Sequence, residues 1–156
     1  VALETDIGSS YDQYMVVANN VHTANDGIQF YTQLKIGGSY KTDAYYKYHY
    51  HRMRSSGTGA GRSSETGTYI ELSAGSGNAA GEASDFIIYF SSPDTTDNYK
   101  SILLNVHMIK DDGDSVTSVG GGYYINSTAA MTGIRFYAAS GNTDSGVFTL
   151  YGLTKS

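Results

Sequence analysis

Residues 45–53 read YYKYHYHRM. Tyr46, Tyr48 and Tyr50 recur at every second position, and Tyr45, Lys47, His49 and His51 fill the places between. An extended chain points successive side chains to opposite faces, so this segment sorts into a ring-bearing face and a mixed polar face only as a β-strand. The ring face is expected to enter a core. The other face, with Tyr45, Lys47, His49 and His51, is expected to meet a partner or ligand, because tyrosine combines a rigid apolar ring with a polar tip.

Working outward, alternation and short apolar runs mark eight more segments, giving about nine candidate strands: 14–21, 28–36, 45–53, 68–72, 85–90, 101–110, 116–125, 133–138 and 146–153. β-branched and aromatic residues fill them, as a pleated surface favours. Residues 85–90 (DFIIYF) and 101–110 (SILLNVHMIK) are nearly continuous apolar runs, which fits strands covered on both faces. Asn25-Asp26-Gly27, Gly37-Gly38-Ser39, Asp111-Asp112-Gly113-Asp114 and Ser140-Gly141-Asn142 separate the strands with residues that tolerate positive φ. The one proline, Pro93, falls in a connection, where a missing N–H does no harm. Residues 133–138 and 146–153 are expected to pair as a hairpin across their short turn, with Gly146 at a bulge. Two Gly/Ser-rich stretches, 55–67 and 73–81, read as surface loops. Together these features predict one antiparallel β-sandwich, jelly-roll-like, over residues 1–156.

Composition narrows the function. With 156 residues the chain is long enough for one core. It has no cysteine, which removes thiol catalysis, disulfides and Cys-based metal sites. Fifteen acids against ten bases argue against nucleic-acid binding, which needs a basic footprint. No apolar run reaches the length of a membrane helix, and no charged segment followed by an apolar one marks a leader.

Chemical motifs are weighed against plainer readings. His49 and His51 share one strand face, and with His107 they would form a three-histidine metal site; a polar strand face explains them without a metal. Asp111, Asp112 and Asp114 lack the closing glutamate of a calcium loop and read as a hairpin turn. The glycines at 57, 59 and 61, and at 75, 77 and 81, open no helix, so they lack the amides that cradle phosphate. Asn126-Ser127-Thr128 matches a glycosylation sequon and reads as an accidental match. Glu65, Glu71 and Glu82 lie in or beside the Gly/Ser-rich stretches rather than on rigid opposed strands, so no glycosidase pair is read. No catalytic residue and no cofactor are expected. The candidate ligand or interface surface comprises Tyr45, Lys47, His49, His51, Arg62, Asn78, Tyr123 and Tyr124.

The chain ends carry a further pattern. Near the start stand Tyr11, Asp12, Tyr14, Val16 and Asn19. Near the end stand Ile134-Arg135-Phe136, Ser140-Gly141-Asn142, Ser145-Gly146, Phe148 and Leu150-Tyr151-Gly152. Over nearly its whole length the chain resembles β-sandwich domains of bacteriophage virion appendages of the tail-fibre and head-fibre type. Thr143 departs from the apolar residue common there, and tyrosine is unusually dense in 45–50. The resemblance implies a structural protein of the particle surface, made in the bacterial host cytoplasm. It implies a homo-oligomer with a trimer favoured, contacts to other virion proteins and adhesion to a host cell-surface glycan through the 55–67 and 73–81 loops. Capsid decoration is the first alternative, and a carbohydrate-binding module or carbohydrate-active enzyme the second.

Overall fold

The computed structural model describes residues 1–154. Twelve strands run in chain order: β1 (Ala2–Leu3), β2 (Gln13–Thr23), β3 (Phe30–Ile36), β4 (Ser39–Tyr40), β5 (Tyr46–Arg54), β6 (Gly59–Gly67), β7 (Ile70–Glu71), β8 (Ser84–Ser91), β9 (Lys100–Ile109), β10 (Ser115–Tyr124), β11 (Met131–Ala138) and β12 (Thr143–Leu153). They form two antiparallel sheets. The larger has seven strands in the order β12-β2-β8-β9-β10-β5-β6, and the smaller has five, β1-β11-β3-β4 with β7 beside β3. The fold is therefore the expected all-β sandwich, without a helix among the described residues. Among the described residues no helix is long and apolar enough to cross a membrane.

The core fills the space between the sheets with Val16, Phe86, Ile88 and Leu104 from the larger one and Phe30, Leu34, Ile134 and Phe136 from the smaller. Tyrosine enters that core as the 45–53 reading expects: Tyr46, Tyr48 and Tyr50 are buried while His49 and His51 are exposed. The hydroxyls of Tyr14, Tyr46, Tyr48, Tyr50 and Tyr124 all find partners. Tyr46 accepts from the Leu34 N–H at 2.8 Å and donates to the Lys41 carbonyl, while Tyr14 both donates to and accepts from the Gly8 backbone. Phenols held this way stay neutral in the fold. Burial, first of all, pushes the Tyr48 hydroxyl up to about 12 and raises Tyr46 and Tyr50 further. Because the folded values lie above the unfolded tyrosine value of about 10, this stability is complete below about pH 10 and lost as pH rises through the folded values. Thermal unfolding from pH 8 to 12 is expected to hold level and then drop, with buried tyrosines ionising in one cooperative step as the fold opens. Smooth ionisation of every tyrosine near pH 10 with the fold intact would contradict it.

Four sequence expectations change. First, the strand count rises from nine to twelve among the described residues: β1 and β4 are two-residue pairings, and β6 takes up all but the first four residues of the 55–67 stretch read as loop. Residues 59–67 pair along β5, from Met53 opposite Gly59 to Tyr46 opposite Gly67. Only residues 55–58 turn. The open backbone groups of β5 recruit a partner strand despite its weak β-formers, because pairing outweighs intrinsic preference at a sheet edge. Second, 73–81 is a surface loop only at residues 78–81; Ser73, Ala74, Ser76 and Gly77 are buried. Ser76 bridges to Ile28, and its hydroxyl lies 2.7 Å from that of Ser84. A Cβ on Gly75 would lie 2.5 Å from the Gly27 carbonyl oxygen, so glycine serves close backbone approach here.

Third, β11 and β12 do not pair. β11 lies between β1 and β3, and β12 pairs with β2 in the other sheet. The short turn at Gly141 carries the chain across the sandwich, and Phe136 meets Phe148 across the core with ring centres 5.3 Å apart. Inter-sheet packing of the two phenylalanines thus replaces the hairpin. The expected bulge beside Gly146 is present. Fourth, β8 and β9 are not covered on both faces. Their residues alternate strictly between buried and exposed, and Leu103 on the central strand β9 is 67% exposed.

Candidate functional site

β5 and β10 pair over nine residues, Tyr46 to Arg54 against Val116 to Tyr124. Glycine at 120 and 122 makes this close packing possible. A Cβ on Gly122 would lie 2.8 Å from the Tyr48 Cβ, and one on Gly120 2.6 Å from the Tyr50 Cβ. The tyrosine rings therefore lie on the inner face over bare backbone. Lys47, His49 and His51 are turned to the outer face, where Lys47 stands opposite Tyr123 and His49 opposite Gly121.

A shallow depression of about 270 Å³ opens there, lined by Lys47, His49, Ser63, Ser64, Glu65 and Tyr123. Lys47 Nζ lies 3.8 Å from the Glu65 carboxylate, both side chains partly in water. The rings of Tyr123 and Tyr99 lie 6.5 Å apart at 30°. The site thus offers an aromatic platform, the hydroxyls of Ser63, Ser64 and Tyr123, and one balanced charge pair, which suits hydrogen-bonding to a polar ligand. Tyr45 is exposed immediately before β5 and sets its ring edge-on to Tyr124.

The remaining sequence candidates lie elsewhere. Tyr124 is buried, and its hydroxyl donates to the Asp43 carboxylate at 2.9 Å. It is a core residue rather than a contact surface, because strand alternation places it opposite Tyr123 in facing. Arg62 sits on β6 opposite Tyr50 and so turns to the inner side, with its Nε 3.1 Å from Glu71. Asn78 holds the 24–26 turn: its backbone N–H donates to Asp26 and its amide to the Ala24 carbonyl. His107 stands on β9 beside Thr117 of β10, at 3.3 Å from its hydroxyl, so a strand separates it from His49 and His51. Among the described residues no group of three or more His, Cys, Asp or Glu gathers as a metal site.

Sequence reasoning missed the buried carboxylate. Glu71 on β7 accepts hydrogen bonds from Tyr50 at 2.7 Å and Tyr48 at 3.3 Å, and pairs with Arg62. Coulombic attraction to Glu71 holds the Arg62 guanidinium more firmly protonated. The signal available was an acid between Ile70 and Leu72, both core residues. A second buried charge, Lys100, donates to the carbonyls of Thr95, Asn98 and Thr128 and so closes one end of the sandwich.

The other notable surface is the outer face of the larger sheet. Paired registers align Tyr151, Met15, Tyr89 and Leu103 in one cross-strand row and Thr149, Val17, Ile87, Asn105 and Val119 in the next. Val119 is 52% exposed and Val147 64%. No protein-family model matches the chain, and no curated protein or solved structure shows a significant similarity to it.

Proposed function

We propose that the chain is a structural domain of a bacteriophage particle appendage, of tail-fibre or receptor-binding type, serving particle assembly and host-surface adhesion as a homo-oligomer, with a trimer favoured. The observation that carries the reading is the bare outer face of the seven-stranded sheet. β8 and β9 have the near-continuous apolar composition of strands covered twice, yet the chain itself covers them once. Contiguous apolar surface of this kind marks an interaction site. Seven strands spaced about 4.8 Å, each rising about 3.3 Å per residue, make a face on the order of the 800 Å² that each partner gives to a standard interface. Leu103 is the most exposed of the large apolar residues and lies on the middle strand. A second copy seated there would bury apolar residues from five adjoining strands.

Adhesion in this reading uses the polar end of the same sheet. The depression beside Tyr123 and the 55–58 turn lie at the β5–β6 edge of that sheet, beyond the five strands that carry the apolar residues.

Light scattering is expected to find an oligomer at micromolar concentration. Leu103→Asp with Val119→Lys is expected to yield a monomer whose melting temperature matches or falls only slightly below that of the isolated wild-type domain, since neither side chain packs in the core. A wild-type monomer at that concentration would remove the assembly reading. Labelled particle images place the domain on tail or head. Adsorption of the purified protein to host cells supports the receptor-binding role, whereas affinity for capsid alone favours capsid decoration.

A further inference from the structure

The outer face of the smaller sheet carries a cationic centre that the depression described above does not use. Arg135 lies on β11 between Ala2 of β1 and Gln33 of β3. Its Nε donates to the Gln33 side-chain oxygen at 2.8 Å, and its Nη2 donates to the same oxygen. Gln33 is itself buried and fixed from its other end, its amide donating to the Thr68 carbonyl at 2.6 Å. The guanidinium lies 4.4 Å from the centre of the Tyr40 ring and 5.7 Å from that of Tyr137. The aromatic surface continues: Tyr137 meets Tyr31 edge-on at 5.7 Å, and Tyr31 stacks on Tyr69.

This arrangement holds a half-buried positive charge against a neutral acceptor and two rings. Among the described residues the ion pairs engage Lys35, Lys47, Arg54, Arg62 and Lys110, and Arg135 joins no carboxylate. Glu4, beside Tyr40, is taken by Lys35 at 2.8 Å. A guanidinium has five N–H donors. Gln33 accepts two of them here, leaving three for a ligand. Half-buried charge is held most favourably when paired, and a fixed guanidinium fork matches a carboxylate with two parallel hydrogen bonds. A shallow depression of about 420 Å³, within the range of small-ligand sites, opens at Arg135, Gln33 and Tyr137. Val1, Ala2 and Phe136 complete its lining, and a tyrosine such as Tyr137 combines a ring suited to the C–H surface of a pyranose with a hydroxyl suited to its oxygens.

We propose that Arg135, framed by Tyr40 and Tyr137, is a binding site for a carboxylated sugar. The guanidinium takes the carboxylate and a tyrosine face takes the sugar ring. The proposal stands apart from the assembly reading, since it concerns the other sheet and requires only the folded chain.

The test titrates the full chain, with backbone resonances assigned, with glucuronate, glucose and acetate at matched ionic strength. Glucose and acetate each remove one half of the recognition. Glucuronate is expected to shift the resonances of 31–35, 40 and 133–137 and to bind at least tenfold more tightly than either control. Arg135→Lys keeps the charge but loses the fork and is expected to weaken glucuronate at least tenfold; Arg135→Gln is expected to abolish the response. Equal binding of glucose shows that no carboxylate is read, and equal binding of acetate shows that no sugar is read; either overturns the proposal. So does the absence of shifts at these residues with glucuronate, an outcome read on the wild-type chain and independent of how the variants fold.

Discussion

Gly120→Ala is expected to destabilise the fold by about 3 kcal/mol or more, near the upper end of overpacking effects. The added Cβ would stand 2.5 Å from the Tyr50 Cα and 2.6 Å from its Cβ. Neither is the end of a flexible side chain, so β5 and β10 themselves must separate. Separation lifts Tyr50 away from Glu71, to which its hydroxyl donates at 2.7 Å, and thereby couples a backbone clash to a buried hydrogen bond. For a domain of this size each kcal/mol lowers the melting temperature by roughly 2–4 °C, so a fall of about 6–12 °C is expected in calorimetry. Gly61→Ala on the neighbouring edge strand is the control. A Cβ there meets nothing within 4 Å, and alanine is intrinsically preferred to glycine in a strand. A melting temperature unchanged or slightly raised is expected for it. Equal effects of the two substitutions would mean that the close β5–β10 register is absent.

Glu71→Ala carries the second large effect. It leaves two buried phenols, Tyr48 and Tyr50, without their acceptor, at a typical cost of about 1–3 kcal/mol per unsatisfied group. Arg62 adds less, because its side chain is 51% exposed and water replaces the lost carboxylate. Chemical denaturation is expected to show a combined loss of about 3 kcal/mol. Glu71→Gln keeps one acceptor oxygen and should lose roughly half as much. A double-mutant cycle separates the partners. Coupling between Glu71→Gln and Tyr50→Phe should exceed 1 kcal/mol, as for hydrogen bonds to charged groups. Coupling between Glu71→Gln and Arg62→Ala should stay below about 1 kcal/mol. The reverse order would assign the anchoring of β7 to the ion pair rather than to the tyrosines.

Both effects turn on residues whose meaning differed between sequence and fold. The period of two in 45–53 was legible because alternation is a local property of an extended chain, and it correctly separated Tyr46, Tyr48 and Tyr50 from His49 and His51. The same alternation marked 133–138 as a strand, and Ile134, Phe136 and Ala138 share its buried face. The glycines of β10 were legible as part of a strand but not as the floor beneath two tyrosine rings, because their role depends on which strand lies alongside. Among the candidate site residues, Lys47, His49 and Tyr123 converge on one depression. Tyr124, Arg62 and Asn78 do not, since each is claimed by a partner distant in sequence: Asp43, Glu71 and the 24–26 turn.

The sequence by itself determined the class of fold, the facing of most strand residues, and the turns at Gly113 and Gly141, because each depends on φ preferences and side-chain alternation within a few residues. Only the tertiary structure decided which strands pair. It sent β11 and β12 to different sheets, drew 59–67 into an edge strand and sank Ser73 and Ser76. Pairing satisfies backbone groups between segments remote in sequence, and no local pattern specifies which remote segment supplies the partner. It also decided that the apolar runs of β8 and β9 are covered once. Composition specifies how much cover a strand needs; the assembled chain alone specifies how much of that cover it provides.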